Sequence, residues 1–450
     1  MSGSTLHKYA EARLPRYTSY PTAPHFSDAI NSGTYGDWLA ALPPDEPASL
    51  YLHVPFCRSM CWYCGCHTTI TRQDQPILAY LDGLKAEIEL VADRAPAPLA
   101  IGEVHFGGGT PTIVEPEEFA ALIDLLKARF VFSDSTSIAV EVDPRTLTAD
   151  MASTLGACDV RRASLGVQSL DHKVQEAINR IQSEEQTATA VQHLRAAGVD
   201  SVNFDLIYGL PHQTVESCQD TARKAAAMRP DRFAVFGYAH VPWFKKHQRM
   251  IDEAALPDSA ARMDQAAAIA DALLSAGYIQ IGLDHFALPG DELAHAWQDR
   301  TLRRNFQGYT TDNCRSLIGF GASAIGRSHE GYVQNEVALG LYARHVASGR
   351  LATAKGYRLT AEDRLRAEII ERLMCYFEAD IPAICARHGY DIAAILDCAR
   401  ALSDLVHDGL VELKRGVVRV NEKHRFVIRS VAAAFDAYLT QSPRLHGKAT

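Results

Sequence analysis

Between residues 49 and 238, short apolar runs alternate six times with longer stretches of helical periodicity. No other feature constrains the fold as strongly. The runs are Ser49–Val54, Glu103–Phe106, Ile138–Val142, Ala163–Val167, Val202–Ile207 and Phe233–Tyr238. Helical patterns separate them, including Ile77–Ala92, Glu117–Phe130, Glu184–Ala197 and Val215–Met228. A strand returning parallel to its predecessor needs a crossover long enough for a helix, so strict alternation predicts a parallel sheet with helices outside it. The expected class is α/β, a partial (β/α)6 TIM-like barrel.

The flanks read differently. Residues 1–47 carry Pro15, Pro21, Pro24, Pro43, Pro44 and Pro47 and are expected to form an irregular N-terminal arm. The barrel and its extension are expected over 48–356, with weaker elements at Gln265–Ser275 and Tyr278–Leu283. Residues 357–450 are expected to form a small, mostly helical C-terminal domain. Ala361–Cys375, Ile381–His388 and Asp391–His407 precede a hairpin of Leu410–Leu413 and Val417–Val420, and a last helix is predicted over Val427–Leu439. That order is winged-helix-like.

Charge argues against nucleic acid as a partner. The chain carries 45 Lys and Arg against 54 Asp and Glu, a net charge of −9, and no C-terminal helix is densely basic. Apolar residues make up 47% and charged residues 22% of the 450, which excludes a largely disordered chain. Met1–Tyr20 lacks the apolar core of a signal peptide, and no run approaches the length of a membrane helix. No membrane partner and a cytoplasmic location are therefore expected.

Four of the ten cysteines fall within Cys57–Cys66: Cys57, Cys61, Cys64 and Cys66. In a reducing compartment such a cluster is a metal site more readily than a disulfide framework. Cys57, Cys61 and Cys64 can wrap one corner of a cubic iron–sulfur cluster and leave the fourth iron open to a small chelating molecule. Thiolates also suit zinc, so a four-cysteine knuckle using Cys66 stays open on ligand type alone.

In β/α barrels the chemistry gathers where strands end. The first predicted strand ends at the cysteine loop, the second in Gly107-Gly108-Gly109-Thr110-Pro111, and the third in Glu141 to Asp143. The fourth ends in Gln168 and Ser169, the fifth carries Asp205, and the sixth ends at Tyr238 to His240. Glycines let backbone approach a ligand, and ionised Glu141 and Asp205 accept hydrogen bonds from hydroxyls or ammonium. Arg180 can pair with a carboxylate, although a solvated helix arginine is its ordinary role.

The C-x3-C-x2-C spacing after a first barrel strand resembles the radical S-adenosylmethionine superfamily. Further segments resemble one family within it, the oxygen-independent coproporphyrinogen III oxidases, or coproporphyrinogen dehydrogenases. They include residues 16–23, 51–66, 107–112, 141–145, 166–169, 205–211, 238–242, 284–286, 305–311 and 319–325.

The resemblance implies an oxidoreductase of haem biosynthesis. It would convert two propionates of coproporphyrinogen III to vinyl groups by a 5′-deoxyadenosyl radical route, giving protoporphyrinogen IX. It implies a [4Fe-4S] cluster on Cys57, Cys61 and Cys64, with an auxiliary role for Cys66, and two molecules of S-adenosylmethionine. Tyr51, Gly108, Glu141 and Ile325 match contacts to the molecule on the cluster. Tyr63, Gly109, Thr110, Gln168, Arg180, Asp205 and Ala239 match contacts to the second.

An unidentified electron donor and acceptor and a monomeric state are also implied. The substrate's four carboxylates require local cations, for which Arg16 and Arg304 are the choices. The nearest rival is a haem-binding or haem-delivering relative without oxidase activity. Such relatives lack the Cys-x-Cys extension and the arm segment, and this chain has both.

Overall fold

The computed structural model describes Tyr9, Ala12 and residues 14–398 and 401–439. The six expected strands are present: β1 (Ala48–Val54), β2 (Ile101–Gly108), β3 (Ser137–Val142), β4 (Val160–Gln168), β5 (Ser201–Tyr208) and β6 (Arg232–Gly237). Each pairs in parallel with the next. In β1 all residues but Tyr51 are buried, the pattern of a strand covered on both faces, which is why it reads as a mostly apolar run interrupted at Ser49 and His53.

The crossover helices begin where the sequence supplies caps. Ser183 and Gln186 form a capping box for Glu184–Ala196, and Thr214 and Ser217 form one for Val215–Ala227. Pro116 occupies the first turn of Pro116–Arg129, where its missing N–H costs nothing.

The sheet continues beyond the six strands. On one side β8 (His285–Ala287) pairs antiparallel with β6, and β7 (Ile279–Ile281) pairs antiparallel with β8. On the other, β9 (Ser316–Phe320) pairs parallel with β1, followed by antiparallel β10 (Ile325–Arg327), β11 (Gly331–Asn335) and β12 (Thr353–Arg358). The result is a 12-stranded sheet with β12 and β7 at its edges, a barrel that does not close on itself.

The arm is less irregular than its prolines suggest. No proline lies between Pro24 and Pro43, and Ser32–Ala40 is a helix capped by Asn31 that buries Tyr35, Trp38 and Leu39 in the main core. Farther upstream, Tyr9, Tyr17 and Tyr20 join a second core with Leu365, Ile369, Leu373 and Phe435 of the C-terminal part.

That C-terminal part also departs from expectation. Asp391–His407 divides into Ile392–Cys398 and Ala401–His407, with residues 399–400 outside the described set. The last helix is Ile428–Ala433 rather than Val427–Leu439. Asp436 accepts the Tyr438 N–H at 2.8 Å and the Tyr17 hydroxyl at 3.0 Å, so its short side chain competes with helical backbone bonding. Among the described residues no helix is long and apolar enough to cross a membrane.

Candidate active site

The cysteine loop leaves β1 and is tied down at several points. Phe56–Cys57 pairs with Thr69–Ile70, closing the loop at its base. The Trp62 N–H donates to Ile178 O at 2.9 Å, and Asn179 Nδ2 donates to Met60 O at 2.8 Å. From beyond β6, Lys245 Nζ reaches Cys66 O at 2.9 Å and His247 Nε2 reaches Cys64 O at 2.7 Å. Cys61 is buried, Cys57 and Cys64 are partly so, and Cys66 is exposed.

Three of these sulfurs have hydrogen-bonding neighbours, two of them from outside the loop. Thr110 Oγ1 lies 3.3 Å from Cys57 Sγ. Arg145 and Arg180 point guanidinium nitrogens at Cys61 Sγ from 3.7 and 3.5 Å. The Cys66 N–H donates to Cys64 Sγ at 3.4 Å. Hydrogen bonding with Cys66 lowers the Cys64 thiol to about 6, whereas burial raises Cys57 to about 11. Donors and cations aimed at thiolate sulfurs are what an iron–sulfur cluster requires of its surroundings.

Among the described residues no three His, Cys, Asp or Glu converge on one ion. A zinc knuckle would need four sulfurs about 2.3 Å from a single centre. A cubic cluster instead takes each thiolate on a separate iron, and the polar neighbours of Cys57, Cys61 and Cys64 suit such a cluster.

The glycines at the end of β2 allow close approach. A Cβ on Gly108, whose φ is +118°, would lie 2.8 Å from the His53 ring, and one on Gly109 would lie 2.5 Å from Phe56 O. At Gly107 a Cβ would lie 2.9 Å from Glu141 Oε1 and 3.0 Å from the Tyr51 ring. The Gly108 N–H donates to Glu141 Oε2 at 3.0 Å, and His105 Nε2 lies 3.5 Å from Oε1. Burial alone would raise the Glu141 carboxyl, but His105 and this N–H outweigh it and hold the group below the usual glutamate range. The Tyr51 hydroxyl meets His53 Nδ1 at 2.9 Å. Tyr51 pairs across β1 and β9 with Gly319, where an added Cβ would lie 2.9 Å from the Ile325 backbone. Tyr51, Gly108, Glu141 and Ile325 thus share one neighbourhood.

A second neighbourhood forms across the barrel mouth. Arg180 is buried in the turn after helix His172–Ala177, which corrects the solvated-helix alternative. Its Nη2 donates to Gly166 O at 2.5 Å and to Asp143 Oδ1 at 3.3 Å. Arg180 Nε and Gln168 Oε1 are buried without a hydrogen-bond partner. A Cβ on Gly166 would meet Gln168 Nε2 at 2.9 Å and Arg180 Nη2 at 3.1 Å, so the two side chains converge there. Tyr63 and Ala239 are bridged by Gln248 Nε2, which donates to their carbonyls at 3.0 and 3.2 Å.

On β5, Asp205 accepts from Ser164 Oγ at 3.1 Å and from Asn203 Nδ2 at 2.9 Å. Burial, reinforced by the Glu141 charge, raises it to about 7 against those bonds. Sequence reasoning named Asp143 only as the end of the third strand, and it missed His53, His105, Arg145 and Gln248. His53 and His105 lie on β1 and β2 and could have been found as polar interruptions in apolar runs.

Fold and site together define a class: radical S-adenosylmethionine enzymes. The family model described as "Radical SAM superfamily" matches residues 51–225. The oxygen-independent coproporphyrinogen III oxidase of Bradyrhizobium diazoefficiens is 61% identical over 98% of both chains. The enzyme of the same description from Escherichia coli is 39% identical over 96% of this chain and 94% of its own. The solved coproporphyrinogen III oxidase (HemN) of Escherichia coli, described as a radical SAM enzyme, superposes with a TM-score of 0.90, covering 94% of this chain and 98% of that one. This chain belongs to the oxygen-independent coproporphyrinogen III oxidase family.

Proposed function

We propose that the chain performs the oxygen-independent oxidative decarboxylation of two propionates of coproporphyrinogen III to vinyl groups, yielding protoporphyrinogen IX in haem biosynthesis. The carrying observation is the loop of three donor-supported thiolates at the barrel mouth, in a chain that aligns end to end with relatives of that name. Each propionate loses carbon dioxide, one hydrogen atom and one electron. When bound, a [4Fe-4S] cluster and its chelated S-adenosylmethionine supply the one-electron cleavage that makes hydrogen-atom removal from the propionate β-carbon feasible.

In this reading Cys57, Cys61 and Cys64 hold the cluster, and Cys66 supports it through its N–H to Cys64. Gly108, Glu141, Tyr51 and Ile325 seat the first S-adenosylmethionine. Glu141, kept ionised, accepts from its ribose or ammonium group. Tyr63, Gly109, Thr110, Gln168, Arg180, Asp205 and Ala239 seat the second. The unmatched Arg180 Nε and Gln168 Oε1 support a polar ligand between them, because leaving such groups buried and unbonded is costly. We assign catalysis to 48–356, with the arm 1–47 and the domain 357–450 around it. A cytoplasmic monomer served by separate electron donors and acceptors completes the proposal.

The test is an anaerobic assay of reconstituted protein with coproporphyrinogen III, S-adenosylmethionine and a reductant, read by product mass. Loss of two carboxyl groups per substrate supports the reading. Cofactor cleavage in the presence of substrate without vinyl product overturns it.

A further inference from the structure

Arginines from four separate parts of the chain meet at the barrel mouth. Arg16 comes from the arm, Arg262 from helix Ser259–Ser275, Arg304 from the strand Arg303–Asn305 and Arg429 from helix Ile428–Ala433. Arg16 Nη2 donates to Gly237 O at 3.0 Å and Arg262 Nη2 donates to Tyr238 O at 3.0 Å. Both reach the C-terminal end of β6, the end at which β1 delivers the cysteine loop. Arg304 Nη2 donates to the Arg16 carbonyl at 3.4 Å, and its guanidinium lies over the Tyr309 ring with 4.5 Å to the centroid.

Charge in this group is unbalanced. The carboxylate acting on Arg16, Arg304 and Arg429 is Asp284, which already engages His285 Nδ1 at 2.8 Å. Besides Asp284, Arg16 feels the charges of Arg304 and Arg262, and Arg429 feels those of Arg16 and Arg304. Arg304 is only 9% exposed, yet its Nε and Nη1 have no hydrogen-bond partner. A buried guanidinium with unmet donors beside like charges is unfavourable unless an anion completes it.

We propose that Arg304, flanked by Arg16 and Arg429, is the subsite that receives a propionate carboxylate of the tetrapyrrole substrate. This rests on the reading of the chain as an enzyme of a tetracarboxylate tetrapyrrole. Guanidinium suits the role because it stays charged when buried and matches carboxylate geometry. The subsite also gives the outer segments a purpose. Arg16 belongs to the arm, whose Tyr17 is buried in the C-terminal core, and Arg429 belongs to that same core region. Arm and C-terminal helices together therefore present cations at the barrel mouth of a chain whose net charge is −9.

The test uses the reconstituted holoenzyme. Arg304→Gln should raise KM for coproporphyrinogen III by about 10- to 150-fold, the effect of losing one charge-assisted hydrogen bond, with a smaller change in kcat. Iron content and S-adenosylmethionine binding by equilibrium dialysis should stay as in the unmodified enzyme. Arg304→Lys should recover part of the loss, and Arg429→Gln should shift KM in the same direction. Should Arg304→Gln fail to fold, Arg16→Gln at an exposed side chain carries the same measurement. Unchanged KM in the folded variants overturns the subsite while leaving the assigned reaction intact. Weakened S-adenosylmethionine binding with normal KM for the tetrapyrrole also overturns it, because the arginines would then serve the cofactor's carboxylate. Absence of vinyl product from the unmodified enzyme removes the assigned reaction and the subsite with it.

Discussion

Arg180 Nη1 lies 3.5 Å from Cys61 Sγ, while Nη2 of the same guanidinium holds Gly166 O at 2.5 Å. One side chain therefore ties the cysteine loop to β4. The sequence places Arg180 after the fourth strand, 119 residues from Cys61, with no local sign of a contact between them. The contact with Cys61 removes that separation.

Arg180→Ala should accordingly do two things. Affinity for S-adenosylmethionine should fall about 10- to 150-fold, as for loss of one charge-assisted bond. The cluster potential should also move to more negative values, since a nearby cation favours the reduced and more negative cluster. Arg180→Lys should restore part of that potential. A redox titration showing the same potential in all three proteins would remove the electrostatic role.

Serine at Cys57, Cys61 or Cys64 should abolish both bound iron and S-adenosylmethionine cleavage. Cys66→Ser keeps the backbone N–H that reaches Cys64 Sγ, so iron should remain while product formation falls. Iron analysis after anaerobic reconstitution decides. Loss of iron in Cys66→Ser equal to that in Cys61→Ser would point to a fourth thiolate ligand.

Gly108→Ala should be poorly tolerated. Its φ of +118° is strained for any L side chain, and the new Cβ would lie 2.8 Å from the His53 ring. A destabilisation of about 1–3 kcal/mol is expected from the backbone alone. The bond from the Gly108 N–H to Glu141 should weaken with it. Urea unfolding together with S-adenosylmethionine binding measures both effects, and a variant matching the parent in both would contradict the clash.

Asp205 predicts a pH dependence. Unfolded, the carboxyl titrates near 3.9; folded, burial and Glu141 raise it to about 7. Between these values the folded state keeps a proton that the unfolded state has lost. The group's contribution to stability is therefore full below about pH 4 and lost as pH rises through about 7. The span corresponds to at most on the order of 4 kcal/mol. Asp205→Asn should remove this slope, so its stability advantage over the parent should grow from pH 5 to pH 8. Urea midpoints of metal-free protein at the two values test it, and an equal difference at both would rule out the raised carboxyl.

Local spacing in the sequence determined the six parallel strands, their crossover helices and the segment that carries the thiolates. Burial on both faces of a strand leaves an unbroken apolar run, and a helix leaves a period of 3.6, so both are written within a dozen residues. The strands β9 to β12 left no such mark. They are three to six residues long, and the buried residues of β11 include the polar Gln334 and Asn335, so neither length nor an apolar run announced them. Only the tertiary structure decided what surrounds the sulfurs. Arg145 and Arg180 reach Cys61 from 84 and 119 residues away. Gln248 joins the carbonyls of Tyr63 and Ala239. The arm's Tyr17 donates to Asp436 across 419 residues. Such partnerships depend on charge and hydrogen-bond complementarity between segments that folding brings together, and no period along the chain encodes them.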